Sequence, residues 1–295
     1  MSDVTLATVV FWSAMAALLY TYAGYPLLLV LLGGRRRGAP ARDGALPRVS
    51  VIVAAYNEAG CIADKIRNTL AQDYPRDLVQ CLVVSDGSTD GTEEAAASVA
   101  DPRVRVLVQR PRGGKCLALN QAVPHATGEV LVFTDANTLL EPGALRRLVE
   151  PFRDPRVGLV SGKGVLLEHR DGSVHAVTNA YLEFEQFLRA REQVFGYIVW
   201  ADGALYAMRH AIYQELRAEH ANDFVHPIHT VLAGYRAMLE PRAVFTEPAS
   251  GSSGGEFRRQ ARMISQGFYI LATEGPRLLA RGHVAVLWQL VSHRL

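Results

Sequence analysis

Cysteine is scarce in this chain, with 3 among 295 residues. Cys61, Cys81 and Cys116 cannot build a disulfide framework, and their spacing matches no zinc site. They read as small buried hydrophobes in a reducing compartment. An excess of one charge is also missing: Lys and Arg number 31, Asp and Glu 29, for a formal net charge of +2. Polyanion binding needs a strong basic excess, so no nucleic acid partner is expected. Charged residues, at 20%, are too many for a multi-span membrane protein, and hydrophobic residues, at 49%, too many for a disordered one. Two nucleotide fingerprints are absent as well. No Gly-x-Gly-x-x-Gly follows the first strand-like run, which argues against a dinucleotide oxidoreductase. Gly113-Gly114-Lys115 lacks the upstream glycine and the following Ser or Thr of a Walker A loop.

What is present begins with a long apolar segment. Val4 to Gly34 holds no charged residue, and Ala7 to Leu32 alone is 26 residues. That length crosses a hydrocarbon core of about 30 Å with some tilt. Gly24 and Pro26 are candidate kink positions, and Trp12, Tyr20, Tyr22 and Tyr25 favour interfaces. Arg35, Arg36 and Arg37 follow directly. A secretory signal would carry its positive charge before the apolar run, not after it. The sequence thus predicts a transmembrane helix with basic flank over residues 1–37, in the plasma (inner) membrane. The arginines place the downstream chain on the cytoplasmic side. Residues 38–47 read as a linker. At roughly 150 residues per domain, the length allows about two units.

From Val49 to Val165 short apolar runs alternate with helical spacing. Strands are expected at 49–55, 79–85, 104–109, 129–134 and from 157. Helices are expected at 58–72, 89–100, 114–123 and 142–152. The junctions Asp101-Pro102-Arg103-Val104 and Asp154-Pro155-Arg156-Val157 repeat each other, with proline stopping a helix each time. Strands apolar on both faces, alternating with helices, predict an α/β fold with a mostly parallel sheet covered on both sides. Ligands of such sheets bind at the carboxyl ends of the strands. Those ends carry Ala55-Tyr56-Asn57-Glu58, then Ser85-Asp86-Gly87-Ser88-Thr89-Asp90, then Asp135-Ala136-Asn137, with Gly113-Gly114-Lys115 before a helix. Each group alone is often only a cap, Asp90 especially. Together they suit a base, a ribose, a diphosphate and a divalent cation.

Taken in this order, the groups resemble the family 2 glycosyltransferases, inverting membrane-attached enzymes of the kind that builds cellulose, hyaluronan and poly-N-acetylglucosamine. The resemblance spans roughly Val49 to Gly267. It implies a GT-A-like fold and transfer of a hexose or N-acetylhexosamine from a nucleotide sugar, UDP-linked, to a polysaccharide or lipid-linked acceptor. It further implies that Ala55, Tyr56 and Glu58 border the nucleotide, that Asp86 contacts uracil, and that Lys115 lies near the base or diphosphate. The family's Asp-x-Asp, which holds Mg²⁺ or Mn²⁺ on the diphosphate, maps to Asp135-Ala136-Asn137. An amide in the second position ligates a hard cation but adds no charge, or acts through a water.

The second half supplies the acceptor side. Val174 to Phe195 reads as an amphipathic helix, mainly scaffold. Trp200, Asp202 and Gly203 fall where the family lines its acceptor site. Asn222-Asp223-Phe224 falls at the family's catalytic acidic motif, ahead of a helix expected near His226. Asp223 is therefore the candidate general base, with an N-cap as its structural alternative. His226 and His229 lack a third ligand for a metal site. Ser250 to Gly255 reads as a Gly/Ser loop. Beyond it Arg259, Arg262 and Met263 stand where processive members have Gln-x-x-Arg-Trp. Only Arg262 matches. Arg259 and Arg262 are candidates for the diphosphate, or for a basic face near anionic headgroups.

Leu278 to Leu295 is apolar but interrupted, which predicts an interfacial helix and a chain shortened before further membrane helices. The expected division is 1–37, 48–165 for the nucleotide sugar, 166–250 for the acceptor and base, and 251–295 for interfacial helices. The departures at Asn137, Arg259 and Met263 leave a second reading open: a non-catalytic, membrane-bound nucleotide-sugar-binding subunit of a glycan synthase.

Overall fold

The structure, a computed structural model, describes residues 3–33, 45–167, 183–248 and 253–294. It opens with α1 (Asp3–Leu19), a π turn (Tyr20–Gly24) and α2 (Tyr25–Leu32). Thr5–Leu32 forms one run of 28 residues with mean hydropathy 1.8, long and apolar enough to cross a membrane by length and composition. The π turn falls at the expected kink position, Gly24 and Pro26. Pro26 has no N–H and its ring crowds the preceding turn, so the helix widens just ahead of it and Tyr25 N–H reaches back to Tyr20 O. Arg35 to Arg37 and most of the linker lie outside the described residues.

The body follows as β1 (Val49–Ala55), α3 (Ile62–Leu70), β2 (Val79–Asp86), α4 (Thr92–Ala97), β3 (Val104–Gln109), α5 (Lys115–Ala122), β4 (Val130–Asp135), β5 (Leu139–Leu140), α6 (Ala144–Val149) and β6 (Val157–Leu167). Then come α7 (183–192), β7 (Leu205–Arg209), α8 (Asn222–Leu232), β8 (Arg236–Pro248), α9 (Ser253–Ala280) and α10 (Val284–Arg294). The eight strands make one sheet in the order β3-β2-β1-β4-β7-β6-β8-β5. β1 runs parallel to β2 and β4, β2 to β3, and β6 to β8. β7 is antiparallel to β4 and β6 at the sheet centre, and the short edge strand β5 is antiparallel to β8. The expected mostly parallel, helix-covered sheet is what forms. Strands from both expected halves share it.

Alternate strand residues feed two separate cores. Ile52, Leu82, Val84, Leu131 and Phe133 pack with α5, α8, α9 and α10, while Val51, Val53, Val83 and Val132 pack with α3 and α6. Burial on both faces explains why these strands read as unbroken apolar runs. The first two helices start later than their spacing predicts. Glu58 N–H and Ala59 N–H are taken by Thr92 Oγ1 and Asp90 Oδ2, so those residues stay in the loop. Gly91, in the left-handed region, begins α4, and Asp90 stitches the two loops instead of capping the helix.

The repeated junctions share one construction. Asp101 accepts the Arg103 N–H and guanidinium, and Asp154 does the same for Arg156. Glu240-Pro241-Arg242 builds it a third time. Cys81 and Cys116 are buried as expected, but Cys61 is only half-buried and donates to Glu58 Oε2 at 3.1 Å.

Two expectations about the C-terminal part change. Helix α9 already begins at Ser253, inside the Gly/Ser run, of which 249–252 lie outside the described residues. The segment from Leu278 is not one helix. Gly282, at φ 76°, ends α9 with His283 N–H on Leu278 O and Gly282 N–H on Leu279 O. Helix α10 then folds back, and its Trp288 edge meets Tyr25 at a centroid distance of 5.2 Å. Tyr25, Leu29 and Leu188 form a small buried cluster, so α2, α7 and α10 are packed together.

Candidate active site

A cleft of about 680 Å³ opens at the carboxyl ends of β1, β2 and β4. Parallel strands end there because each feeds a loop into a helix, and the loop leaves its polar side chains at the rim. Ala55, Tyr56, Glu58, Asp86, Lys115, Asp135, Trp200, Asp202, Gly203, Asp223 and Arg262 all line it. The sequence-predicted residues are thus gathered in one place, with two exceptions. Asn137 is exposed and does not line the cleft. The Arg259 side chain lies outside the described residues, although its backbone is in α9.

At the end of β2, Asp86 is buried at 3% exposure and organises the glycine pair. Its Oδ1 accepts from Gly113 N–H at 2.7 Å and Gln109 Nε2 at 2.7 Å, and its Oδ2 from Gly114 N–H at 2.8 Å. The glycines allow this approach: a Cβ on Gly113 would lie 2.5 Å from Gln109 Nε2, and Gly114 sits at φ +89°. Tyr56 presents an open ring at the rim, and the Arg112 guanidinium stacks on it 3.6 Å from the centroid. Sequence reasoning passed over Arg112, whose only signal is its place beside Gly113.

At the floor, Lys115 Nζ donates to Asp135 Oδ1 at 2.6 Å and to Gly203 O at 3.2 Å. Burial pulls the Lys115 ammonium down, but the charge and hydrogen bond of Asp135 outweigh it and hold the pKa above the usual lysine value. A second lysine lies beneath. Lys65 is fully buried and donates to Thr134 Oγ1 at 2.7 Å, Thr138 O at 2.9 Å and Thr138 Oγ1 at 3.2 Å. It grips the turn that carries Asp135 on both sides, and burial lowers its pKa to about 7. In the sequence it is one lysine in an amphipathic helix, without a signal.

The wall that carries Asp223 corrects the expected helix boundary. Helix α8 starts at Asn222, not near His226, and its N-cap is Ala221 with no side-chain cap bond. Asp223 is therefore inside the first turn and is not the cap. Its carboxylate faces Gly203 so closely that a Cβ there would lie 2.8 Å from Oδ2. Burial raises the Asp223 pKa to about 6; Lys115 pulls against this, and Asp202 and Asp135 add to it. Asp202 is also raised, by burial first, with Arg189 opposing. The neighbouring Asn222 Nδ2 donates to Tyr206 Oη at 2.7 Å, which contacts His226 Nδ1 at 2.9 Å. Burial keeps His226 neutral by pushing its pKa well down. The histidine thus braces the start of α8. His229 lies 3.8 Å from Glu274.

One reading is overturned in emphasis. The helix expected over Val174–Phe195 is described only from residue 183, and it is more than scaffold: Glu185 and Arg189 of α7 line the cleft. Glu247 lines it as well.

A divalent cation fits this floor on chemical grounds. Asp135, Asp202, Asp223 and Glu247 bring hard oxygen donors into one cleft, and the charges of Asp202 and Asp135 raise the proton affinity of Asp223. Among the described residues no three His, Cys, Asp or Glu side chains converge to hold an ion unaided. An ion would need ligands from the diphosphate itself.

Comparison with known proteins agrees with this layout. The family described as Glycosyl transferase family 2 matches residues 50–216, more than half of the chain. A beta-monoglucosyldiacylglycerol synthase of Trichormus variabilis is 32% identical over 154 residues, covering 50% of this chain and 33% of that protein. A poly-beta-1,6-N-acetyl-D-glucosamine synthase of Staphylococcus aureus is 23% identical over 232 residues, covering 77% of this chain and 56% of that protein. The chain thus spans only about a third to just over half the length of these relatives. Among solved structures, the mannosyltransferase PcManGT from Pyrobaculum calidifontis, in complex with GDP-Man and Mn²⁺, superposes with a TM-score of 0.73 at 28% identity. That match covers 95% of this chain and 83% of the other. TarS of S. aureus, solved with UDP, shares the fold at a TM-score of 0.53 and 19% identity. A GT-A-like sheet with a carboxylate-lined cleft at its strand ends, and a family match across most of that sheet, give one conclusion: this chain belongs to glycosyl transferase family 2.

Proposed function

We propose that the chain transfers a sugar from a nucleoside diphosphate sugar, UDP-linked, to an acceptor hydroxyl, with inversion at the anomeric carbon. The observation that carries this is the placement of Asp223. A carboxylate held near pKa 6 faces the same cleft as Asp86, Lys115 and Asp135. That value suits a base working near neutral pH.

The steps then belong to this chain's residues. Tyr56 and Asp86 border the base, and Ala55 and Glu58 the nucleoside. Asp223 accepts the proton of the acceptor hydroxyl as that oxygen bonds to the anomeric carbon. The bond between that carbon and the diphosphate oxygen breaks in the same displacement. Lys115 and Arg262 meet the negative charge that collects on the leaving group. Asp135 would hold a Mg²⁺ or Mn²⁺ ion, which would supply further charge neutralisation on the diphosphate; Asn137, exposed and outside the cleft, takes no part. Trp200, Asp202 and Gly203 form the acceptor side. Lipid-linked or polysaccharide acceptors fit an enzyme whose apolar N-terminal helix spans the membrane with the catalytic body on the cytoplasmic face.

The test is release of nucleoside diphosphate by protein purified in detergent with Mn²⁺, across UDP-sugars and GDP-mannose. The proposal expects release with a UDP-sugar. Metal-dependent UDP binding without hydrolysis or transfer would favour a non-catalytic subunit instead.

A further inference from the structure

Helix α7 separates the cleft from the apolar N-terminal helix. On one side Leu188 packs with Tyr25 and Leu29. Glu192 Oε1 accepts from Tyr25 Oη at 2.5 Å and contacts His293 Nδ1 at 2.7 Å, while His293 Nε2 contacts Glu185 Oε2 at 3.2 Å. On the other side Glu185 and Arg189, one turn apart and each 5% exposed, line the cleft. The donor chemistry above uses neither.

Arg189 lies with Nη1 3.7 Å from Asp202 Oδ2, and its Nε has no hydrogen-bond partner among the described residues. An unpaired N–H buried in a cleft wall is costly, and it marks a place for a ligand oxygen. The charge around it decides which oxygen. Asp202 lies beside it, Asp223, Glu185 and Glu247 line the same cleft, and Arg189 is the one cation that α7 brings to that cleft among the described residues. A phosphate seated here would face several carboxylates. An uncharged group with adjacent hydroxyls would meet a donor in Arg189 and acceptors in the acids. The distance to the membrane-type helix is about one helix diameter, roughly 10 Å, because α7 alone intervenes.

We infer that Arg189 seats the acceptor, and that this acceptor is the uncharged, hydroxyl-bearing headgroup of a lipid, not a lipid phosphate. The inference rests on the transferase reading of the same cleft. Arg189 donates to an oxygen next to the attacking hydroxyl, and Asp223 takes the proton of that hydroxyl. A phosphate acceptor would need no such base.

The experiment uses the full chain in vesicles with its active donor. Three acceptors are compared: a lipid with a neutral sugar headgroup, a lipid phosphate, and the same sugar free in solution. Transfer to the neutral lipid should exceed the other two at least about tenfold. Arg189→Gln and Arg189→Lys should raise the acceptor KM or lower kcat by about tenfold or more, with donor KM unchanged. Preference for the lipid phosphate, preference for the free sugar, or a raised donor KM with the acceptor KM unchanged would each overturn the inference while transfer itself stands. Absence of turnover with every donor would remove the transferase reading and this inference together. If the Arg189 variants do not fold, the wild-type acceptor comparison decides.

Discussion

Replacing Asp223 by Asn separates its chemical role from its structural cost. The carboxyl is raised from 3.8 to about 6, first by burial and then by Asp202 and Asp135. The folded state therefore binds this proton more tightly than the unfolded chain does. The resulting penalty is absent below pH 4, grows as pH rises through 4 to 6, and is complete above it. At 1.36 kcal/mol per unit, a shift of about 2 units corresponds to about 3 kcal/mol at pH 8. Asn keeps the shape and cannot ionise, so it should lift that penalty. Thermal unfolding at pH 4 should show the variant and parent alike. At pH 8 the variant should be more stable, by several degrees in Tm. Its rate of sugar transfer should fall by a factor of about 10² to 10⁴. The parent's kcat/KM should rise with pH along a limb near 6. A variant that is less stable at pH 8, or that turns over at the parental rate, would refute the assignment of Asp223 as a desolvated base.

Gly203→Ala should lower kcat by about tenfold or more with little change in Tm, since the added Cβ meets the free end of Asp223 and displaces it rather than the backbone. Lys65→Met should keep the fold yet weaken donor binding about tenfold, measured by titration with the UDP-sugar, because the Asp135 turn loses its three-point anchor. Chelation of divalent cations should abolish diphosphate release, and Asp135→Ala should do so without chelator; turnover that survives both would remove the cation from the proposal.

The legible part of the sequence was the part with period and punctuation. The apolar runs from Val49 to Val165 became paired parallel strands because both faces are buried. The strand-end acids met at one rim because parallel strands must end together. What stayed hidden was long-range. Lys65 looks like any lysine of an amphipathic helix until Thr134 and Thr138, about 70 residues away, close over it. Arg189 and Glu185 belong to a helix that reads mainly as scaffold, and only the packing of α7 against the cleft turns them inward. The start of α8 lies earlier than its proline suggests: Pro227 is inside the helix, and nothing in the sequence signals that the five residues ahead of it, Asn222 to His226, are already helical.

The junction of α2, α7 and α10 bears on how this protein can be cut. Tyr20 bonds Ser292, Tyr25 bonds Glu192, and His293 lies between two buried glutamates. The apolar N-terminal helix is therefore no detachable leash on a free-standing catalytic body. Trimming it away would unroof Leu188 and strand Glu192 without its phenol, on the helix whose far side forms a wall of the cleft. A fragment begun after residue 44 would lack the packing that backs the α7 wall of the cleft.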